Sequence, residues 1–201
     1  MEKQTISHPK QERTVVLIKP DGVKRGLVGE IISRFEKRGL KIIALEMFRA
    51  TPEQIDGHYP KDEGWIKRLG EKTLKNYKEY GVDAEKELGT RDPLEIGRMV
   101  RGWLIDYMTS GPMIKMVVEG IHAVSMVRKI VGSSMPAEAE MGTIRGDFSV
   151  DDATAANRDK RAIHNIVHAS ETPEEAQHEL DFWFAAEDIF DYKRAEEDIM
   201  F

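Results

Sequence analysis

The chain contains no cysteine, which excludes a disulfide framework, a thiolate nucleophile and a cysteine-based zinc site. No apolar run approaches the length of a bilayer span, so no membrane partner is expected. The opening residues, M-E-K-Q-T-I-S-H-P-K, are polar and lack the apolar segment of a signal peptide, which predicts a cytoplasmic protein. Positive charge is not in excess: 30 lysines and arginines against 36 acids leave a formal net charge of -6. That balance argues against nucleic acid as the main partner, while leaving room for a local basic pocket. What is present is ample apolar material, 40% of 201 residues, enough for a substantial core. We read residues 1–201 as a single domain.

Arg13 to Lys19, R-T-V-V-L-I-K, is rich in β-branched and apolar residues and reads as a central strand that Pro20, Asp21 and Gly22 end. Gly26 to Arg38 carries Val28, Ile31, Ile32 and Phe35 at helical spacing, with Gly39 as a stop. Leu40 to Arg49 reads as a second strand, and Thr51, Pro52 and Glu53 open a short helix leading to His58 and Tyr59. From about 61 to 97 charges dominate, and Trp65, Ile66, Leu69, Leu74, Tyr77 and Tyr80 recur at loosely helical intervals. This stretch reads as helical material added to the core and packed through one face. Gly70, Glu71, Lys72 and Thr73 resemble a phosphate-binding loop only superficially, because Glu71 interrupts the Gly-Lys pair and no strand precedes it.

A helix is predicted over Arg98 to Ser110, a third strand over Met113 to Glu119 and a helix over Ala123 to Val131. Ser133 to Asp147 reads as a loop holding Arg145 between glycines, and residues 151–160 as a surface insertion. Ala162 to Val167 reads as a brief buried strand, so that His168 falls where the strand has ended and the next helix has not begun. Thr172, Pro173 and Glu175 supply an N-cap, a first helical residue and a capping box for a helix reaching Phe184. The tail over 187–201 mixes acids with Ile189, Phe190, Tyr192, Ile199 and Phe201 and is expected to wrap along a surface. Four strands with helices on one face give an α+β fold: a ferredoxin-like four-stranded antiparallel sheet with a helical insertion between the second and third strands.

Taken alone, His168 has two readings: a structural histidine bonded to a loop, or a nucleophile or proton carrier that is largely neutral near pH 7. Lys19 at a strand end, Arg128 on a helix, Arg145 and Asn165 gather cations and an amide around it, as phosphoryl transfer requires. Four blocks then resemble nucleoside diphosphate kinase in the order found in that family: K-P-D-G-V-K-R-G-L-V-G-E-I-I from Lys19, Y-M-T-S-G-P from Tyr107, G-T-I-R-G-D-F from Gly142 and N-I-V-H-A-S from Asn165.

The resemblance implies transfer of the γ-phosphate of a nucleoside triphosphate to a nucleoside diphosphate, by a ping-pong route through phosphohistidine on His168. It implies that Glu179 orients the imidazole and that Tyr59 and Lys19 lie by the transferring phosphate. Arg128 and Arg145 would hold the nucleotide phosphates, with Ser134 supplying a hydroxyl where threonine is usual, Asn165 contacting the sugar and Ser170 standing beside the histidine. Mg²⁺ would arrive bridging the nucleotide's phosphates. A homo-oligomer is implied as well. Ala169 replaces a glycine, His164 stands where arginine is common, and the phenylalanine on which the base stacks becomes Val100. A catalytically weak nucleotide-binding or regulatory relative is the alternative, and the complete residue set favours the enzyme. An RNA-binding sheet would want several aromatic residues on its strands, and these strands carry Phe48 alone.

Overall fold

The computed structural model describes residues 10–195 and 197–200; His8 and Phe201 lie outside the described residues. Its first strand, β1 (Gln11–Ile18), is the centre of the fold. Val15, Val16, Leu17 and Ile18 are all fully buried, because β1 pairs antiparallel with β3 (Met113–Ile121) on one side and β4 (Val167–Ala169) on the other. With β2 (Lys41–Phe48) on the far edge, the sheet order is β2-β3-β1-β4. The sheet is antiparallel throughout. The predicted four-stranded α+β architecture is therefore the one observed.

The helices cover both faces, where one had been expected. Val16, Ile18, Ile114, Met116 and Val118 pack with Ile31 and Phe35 of α2 (Val28–Lys37) and with Val127 and Val131 of α7 (Ala123–Val131). Alternate residues Val15, Leu17 and Met113 pack with Ile55 of α3 (Pro52–His58), Met108 of α6 (Pro93–Thr109) and Trp183 of α10 (Pro173–Trp183). The unbroken apolar run of β1 is the sequence's trace of this double coverage, since period-two alternation survives only when one face meets water.

Several local expectations are corrected. Pro20, Asp21 and Gly22 do not merely stop β1: they belong to the short helix α1 (Pro20–Lys24), with Pro20 in its first turn, where a missing N–H costs nothing. Likewise α6 starts at Pro93 and not at Arg98, because the Asp92 carboxylate accepts the N–H groups of Leu94 and Glu95 at 2.8 and 2.9 Å. Arg145 sits within the short helix α8 (Ile144–Phe148), capped by Thr143, and not in an open loop. The capping box at α10 is only half formed: Thr172 caps Glu175, but the Glu175 carboxylate reaches the N–H of Glu171.

The added helical material comprises α4 (Glu63–Glu79), α5 (Ala84–Leu88) and the first turn of α6. One face of α4, formed by Ile66, Gly70, Thr73 and Tyr77, is buried, as helical spacing requires. A methyl group at Gly70 would fall 1.8 Å from the Pro93 carbonyl oxygen, and one at Gly97 would fall 1.9 Å from that of Ile66. The two helices thus meet backbone to backbone. Residues 151–160 are less superficial than expected: α9 (Ala153–Arg158) buries Ala156 and Asn157, and the Tyr77 hydroxyl of α4 donates to the Asn157 carbonyl at 2.9 Å. The tail follows β2 as expected, with the Phe190 N–H donating to the Ile43 carbonyl and the Tyr192 hydroxyl to that of Ile42, each at 2.8 Å. No helix among the described residues is long and apolar enough to cross a membrane.

Candidate active site

His168 lies in the middle of β4, opposite Leu17 of β1, and not beyond the strand's end. Of the apolar run from Ala162 only Val167 pairs, because Ile166 has φ +70°, a left-handed backbone that a β-branched residue rarely adopts and that breaks extension before Val167. Ile166 is held there by two bonds: its N–H donates to Asp21 Oδ2 at 3.1 Å, and its carbonyl accepts from the Lys19 N–H at 2.8 Å. The turn therefore delivers His168 into register with its side chain 18% exposed.

His168 Nε2 lies 2.6 Å from Glu179 Oε1, and Ser170 Oγ donates to Glu179 Oε2 at 2.7 Å. Both carboxylate oxygens accept, which fixes the glutamate two turns into α10. Burial shifts each group toward its uncharged form, raising Glu179 and lowering His168, and Lys19, Arg145 and Arg128 lower the histidine further. A neutral imidazole that donates Nε2–H to a carboxylate keeps its lone pair on Nδ1. That nitrogen is the one equipped to act as a nucleophile.

His58, at the end of α3, was assigned no role from sequence. Its ring meets that of His168 edge-on with centroids 4.7 Å apart, and its Nδ1 accepts from Trp183 Nε1 at 3.3 Å and lies 3.6 Å from Glu179 Oε1. Burial, then the neighbouring His168, pushes its pKa down to about 3. The donor atoms of His58, His168 and Glu179 lie within 4.8 Å of one another, a set that a transition metal would accept. His58 Nδ1 and His168 Nε2 are engaged by Trp183 and Glu179, and the surrounding lysine and arginines disfavour a cation. Tyr59 follows His58 directly. Its phenol is pushed up by burial and by Glu179, and its ring stacks on Trp65 of α4 with centroids 6.0 Å apart.

Lys19 occupies the N-cap position of α1, where β1 ends, and donates to Asn165 Oδ1 at 2.7 Å. Burial, then Arg145, lowers its pKa to about 7. Asn165 Nδ2 in turn donates to the Ser134 carbonyl at 2.9 Å, so Ser134 enters this network through its backbone oxygen. Arg145 donates to the carbonyls of Asn165, Gly132 and Val167 at 3.1, 2.8 and 2.5 Å, and burial, then Arg128, lowers its pKa to about 10. It stitches the end of α7 to the turn and to β4, while one N–H on each terminal nitrogen remains for a ligand. Arg128 is exposed on α7 and lies 3.6 Å from Glu171.

Lys19, Tyr59, Arg145, Asn165, His168 and Glu179 therefore converge, with Arg128 at the rim. Val100 takes no part in these contacts; it is half-buried on α6, two turns before Tyr107. Sequence reasoning missed Asp21 and Trp183, and set His58 near the site without a role. The first was hidden in a Pro-Asp-Gly stretch that reads as punctuation, and the other two meet only through tertiary contact.

An oriented neutral imidazole among buried cations places the chain among proteins built around phosphate chemistry. The comparisons narrow that class. The sequence profile of the nucleoside diphosphate kinase family matches residues 12–68 and 97–189. The nucleoside diphosphate kinase of Pyrobaculum aerophilum is 51% identical over 180 residues, 90% of this chain and 98% of that protein. That of Archaeoglobus fulgidus is 38% identical over 187 residues, 93% of this chain and 95% of that protein. The crystal structure of the Pyrobaculum aerophilum NDP kinase superposes with a TM-score of 0.87 at 49% identity, covering 90% of this chain and all of that one. A transition-state mimic of the Borrelia burgdorferi enzyme with bound vanadate and ADP gives 0.76 at 32% identity, covering 94% and 96%. The chain belongs to the nucleoside diphosphate kinase family.

Proposed function

We propose that this protein is a nucleoside diphosphate kinase that carries phosphate on Nδ1 of His168. The observation that carries the assignment is the 2.6 Å contact between His168 Nε2 and Glu179, which leaves Nδ1 as the free lone pair. In the first half-reaction Nδ1 attacks the γ-phosphorus of a nucleoside triphosphate. The N–P bond forms, the bond to the β,γ-bridging oxygen breaks, and the diphosphate leaves with that electron pair. Positive charge developing on the ring is met by the Glu179 carboxylate through the retained Nε2–H. In the second half-reaction a terminal oxygen of another nucleoside diphosphate attacks the phosphorus, and the N–P electron pair returns to Nδ1.

Lys19, Arg145 and Arg128 neutralise the phosphates, Tyr59 bounds the transferring group, and Asn165 and Ser134 sit where the sugar and phosphates enter. Because this donor set is cationic and amide-bearing, Mg²⁺ belongs to the nucleotide substrate, held by its phosphates. The reaction acts on cytoplasmic nucleotide pools. We further propose self-association through β2: it is an edge strand, and it presents Leu45 and Met47 at 53% and 60% exposure.

Labelled ATP should give an acid-labile, alkali-stable phosphoprotein that GDP then discharges as labelled GTP. Label lost only as inorganic phosphate would refute the transferase reading.

A further inference from the structure

The helix α4 begins four residues after Tyr59 and packs on Tyr59 at one end and on α9 at the other. At its first turn Trp65, whose N–H is bound by Asp62 at 2.8 Å, lays its ring on that of Tyr59 at an interplanar angle of 23°. Tyr59 also meets the His58 ring, with centroids 5.0 Å apart, and His58 packs on His168. Two ring contacts thus help hold the phenol in place. The segment before α4 is anchored as well: Arg101 of α6 holds the Asp56 carboxylate and donates to the Asp56 carbonyl at 2.9 Å, while Lys61 reaches Asp56 Oδ2 at 2.6 Å.

Twelve residues farther on, about 18 Å along the helix, Tyr77 bonds the Asn157 carbonyl. Asn76 Oδ1 accepts from Asn157 Nδ2 at 3.3 Å. Just before α9, Asp151 takes up both the Arg161 guanidinium, at 2.6 and 3.0 Å, and the His164 N–H, at 2.7 Å. His164 is followed directly by Asn165. One helix thus leans at one end on Tyr59 and at the other on α9, which precedes the turn leading to Asn165 and to β4 with His168. The backbone contact of Gly70 and Gly97 with the neighbouring helix prevents it from sliding.

We infer that α4 is a strut that sets the distance between the two walls of the nucleotide cleft, and that Trp65 is a positioning residue holding the Tyr59 phenol for phosphoryl transfer. The inference rests on the role given to Tyr59 above. Trp65 touches no reacting atom; it acts through Tyr59, so its contribution belongs to kcat and not to nucleotide affinity.

The test is a double-mutant cycle in the full-length protein, Trp65→Ala and Tyr59→Ala singly and together, with Trp65→Phe as the conservative variant. Trp65→Ala should slow phosphoenzyme formation about tenfold or more, as misplacing a reacting neighbour does, with KM changed less than about twofold. Trp65→Phe should restore most of the rate. In the Tyr59→Ala background, Trp65→Ala should cost nothing further, because the group it positions is gone. Independent, multiplicative losses would overturn the inference, as would a Trp65→Ala effect confined to KM. Full activity of Trp65→Ala beside an impaired Tyr59→Ala would refute the strut alone. Full activity of Tyr59→Ala would remove the role of Tyr59 and the strut with it. If Trp65→Ala does not fold, Trp65→Leu keeps the apolar bulk without a stacking face, and the same outcomes decide.

Discussion

Asp21 and Ile166, 145 residues apart, share a hydrogen bond that fixes the catalytic strand: Asp21 Oδ2 accepts the Ile166 N–H at 3.1 Å and holds that residue at φ +70°. Without an acceptor the strained residue would relax toward ordinary backbone angles, and His168, two residues on, would leave its register with Leu17. Asp21→Ala should therefore destabilise the protein by about 1–3 kcal/mol and slow phosphoenzyme formation, whereas Asp21→Asn, which keeps an oxygen acceptor, should retain most of both. Urea denaturation and a rapid-quench phosphorylation assay measure the two effects. Equal behaviour of the two variants would contradict this account.

His168→Ala should abolish transfer and leave the protein folded, since the imidazole is partly exposed and its contacts are with Glu179 and His58 of the site. Glu179→Gln keeps the size and can still accept the Nε2–H, but it loses the charge that meets the developing imidazolium. A fall in kcat of about 10²–10³ is expected, with circular dichroism unchanged. A Glu179→Gln enzyme of wild-type rate would show that orientation alone is enough.

The depressed histidines predict how stability depends on pH. His58 has its folded pKa at about 3, and His168 is lowered in the same direction. In the unfolded chain an ordinary histidine binds a proton below about 6.5, so across the interval between these values the unfolded state carries more protons. Stability then rises with pH from about 3 to about 6.5, and acid removes it. Glu179, raised by burial, contributes with the opposite sign above its ordinary value, as a single group against two. Urea midpoints should climb between pH 5 and 7; a flat or falling trend would contradict the assignment of neutral buried imidazoles.

Lys19 sets the alkaline side of activity. Its pKa of about 7 in the free protein means that the ammonium is lost in mildly basic solution. The ratio kcat/KM reports the free enzyme and should decline as pH rises through about 7. Lys19→Arg, which stays charged, should remove that limb even if its absolute rate is lower. A profile flat from pH 6.5 to 9 in the wild type would disprove the role.

A base resting on Val100 would meet an apolar contact without a ring, since Trp65 is already committed to Tyr59. Val100→Phe should tighten ADP binding, by analogy with base–aromatic stacking worth ~1–3 kcal/mol. Calorimetry with ADP measures it. Unchanged or weakened binding would mean that the base does not lie against this face of α6.

The strands and long helices were legible because β1, β2, β3 and α7 each carry an apolar pattern that tertiary context did not have to override. The boundaries that failed did so for identifiable reasons. Ala162 to Val167 has the composition of a strand, yet the positive φ of Ile166 leaves only Val167 to Ala169 to pair with β1. Pro20-Asp21-Gly22 suits a strand stop and a helix start equally, and the chain uses it as a helix start. His168, Lys19, Arg145 and Asn165 lie in short blocks in which chemistry and sequence are local, whereas Glu179 stands outside those blocks and came only with the resemblance. The Trp183–His58 bond joins residues 125 positions apart, and no local pattern announces it.

The contact of Gly70 and Gly97 with the facing backbones has a kinetic corollary. Because carbonyls stand where methyl groups would be, α4 and α6 are joined backbone to backbone and not through side chains that could rotate away. The added helix and the one bearing Tyr107 should then open as one foldon, their amides exchanging with deuterium at a common rate. A segment that looks like an appendage along the chain would be, in its opening dynamics, continuous with the core.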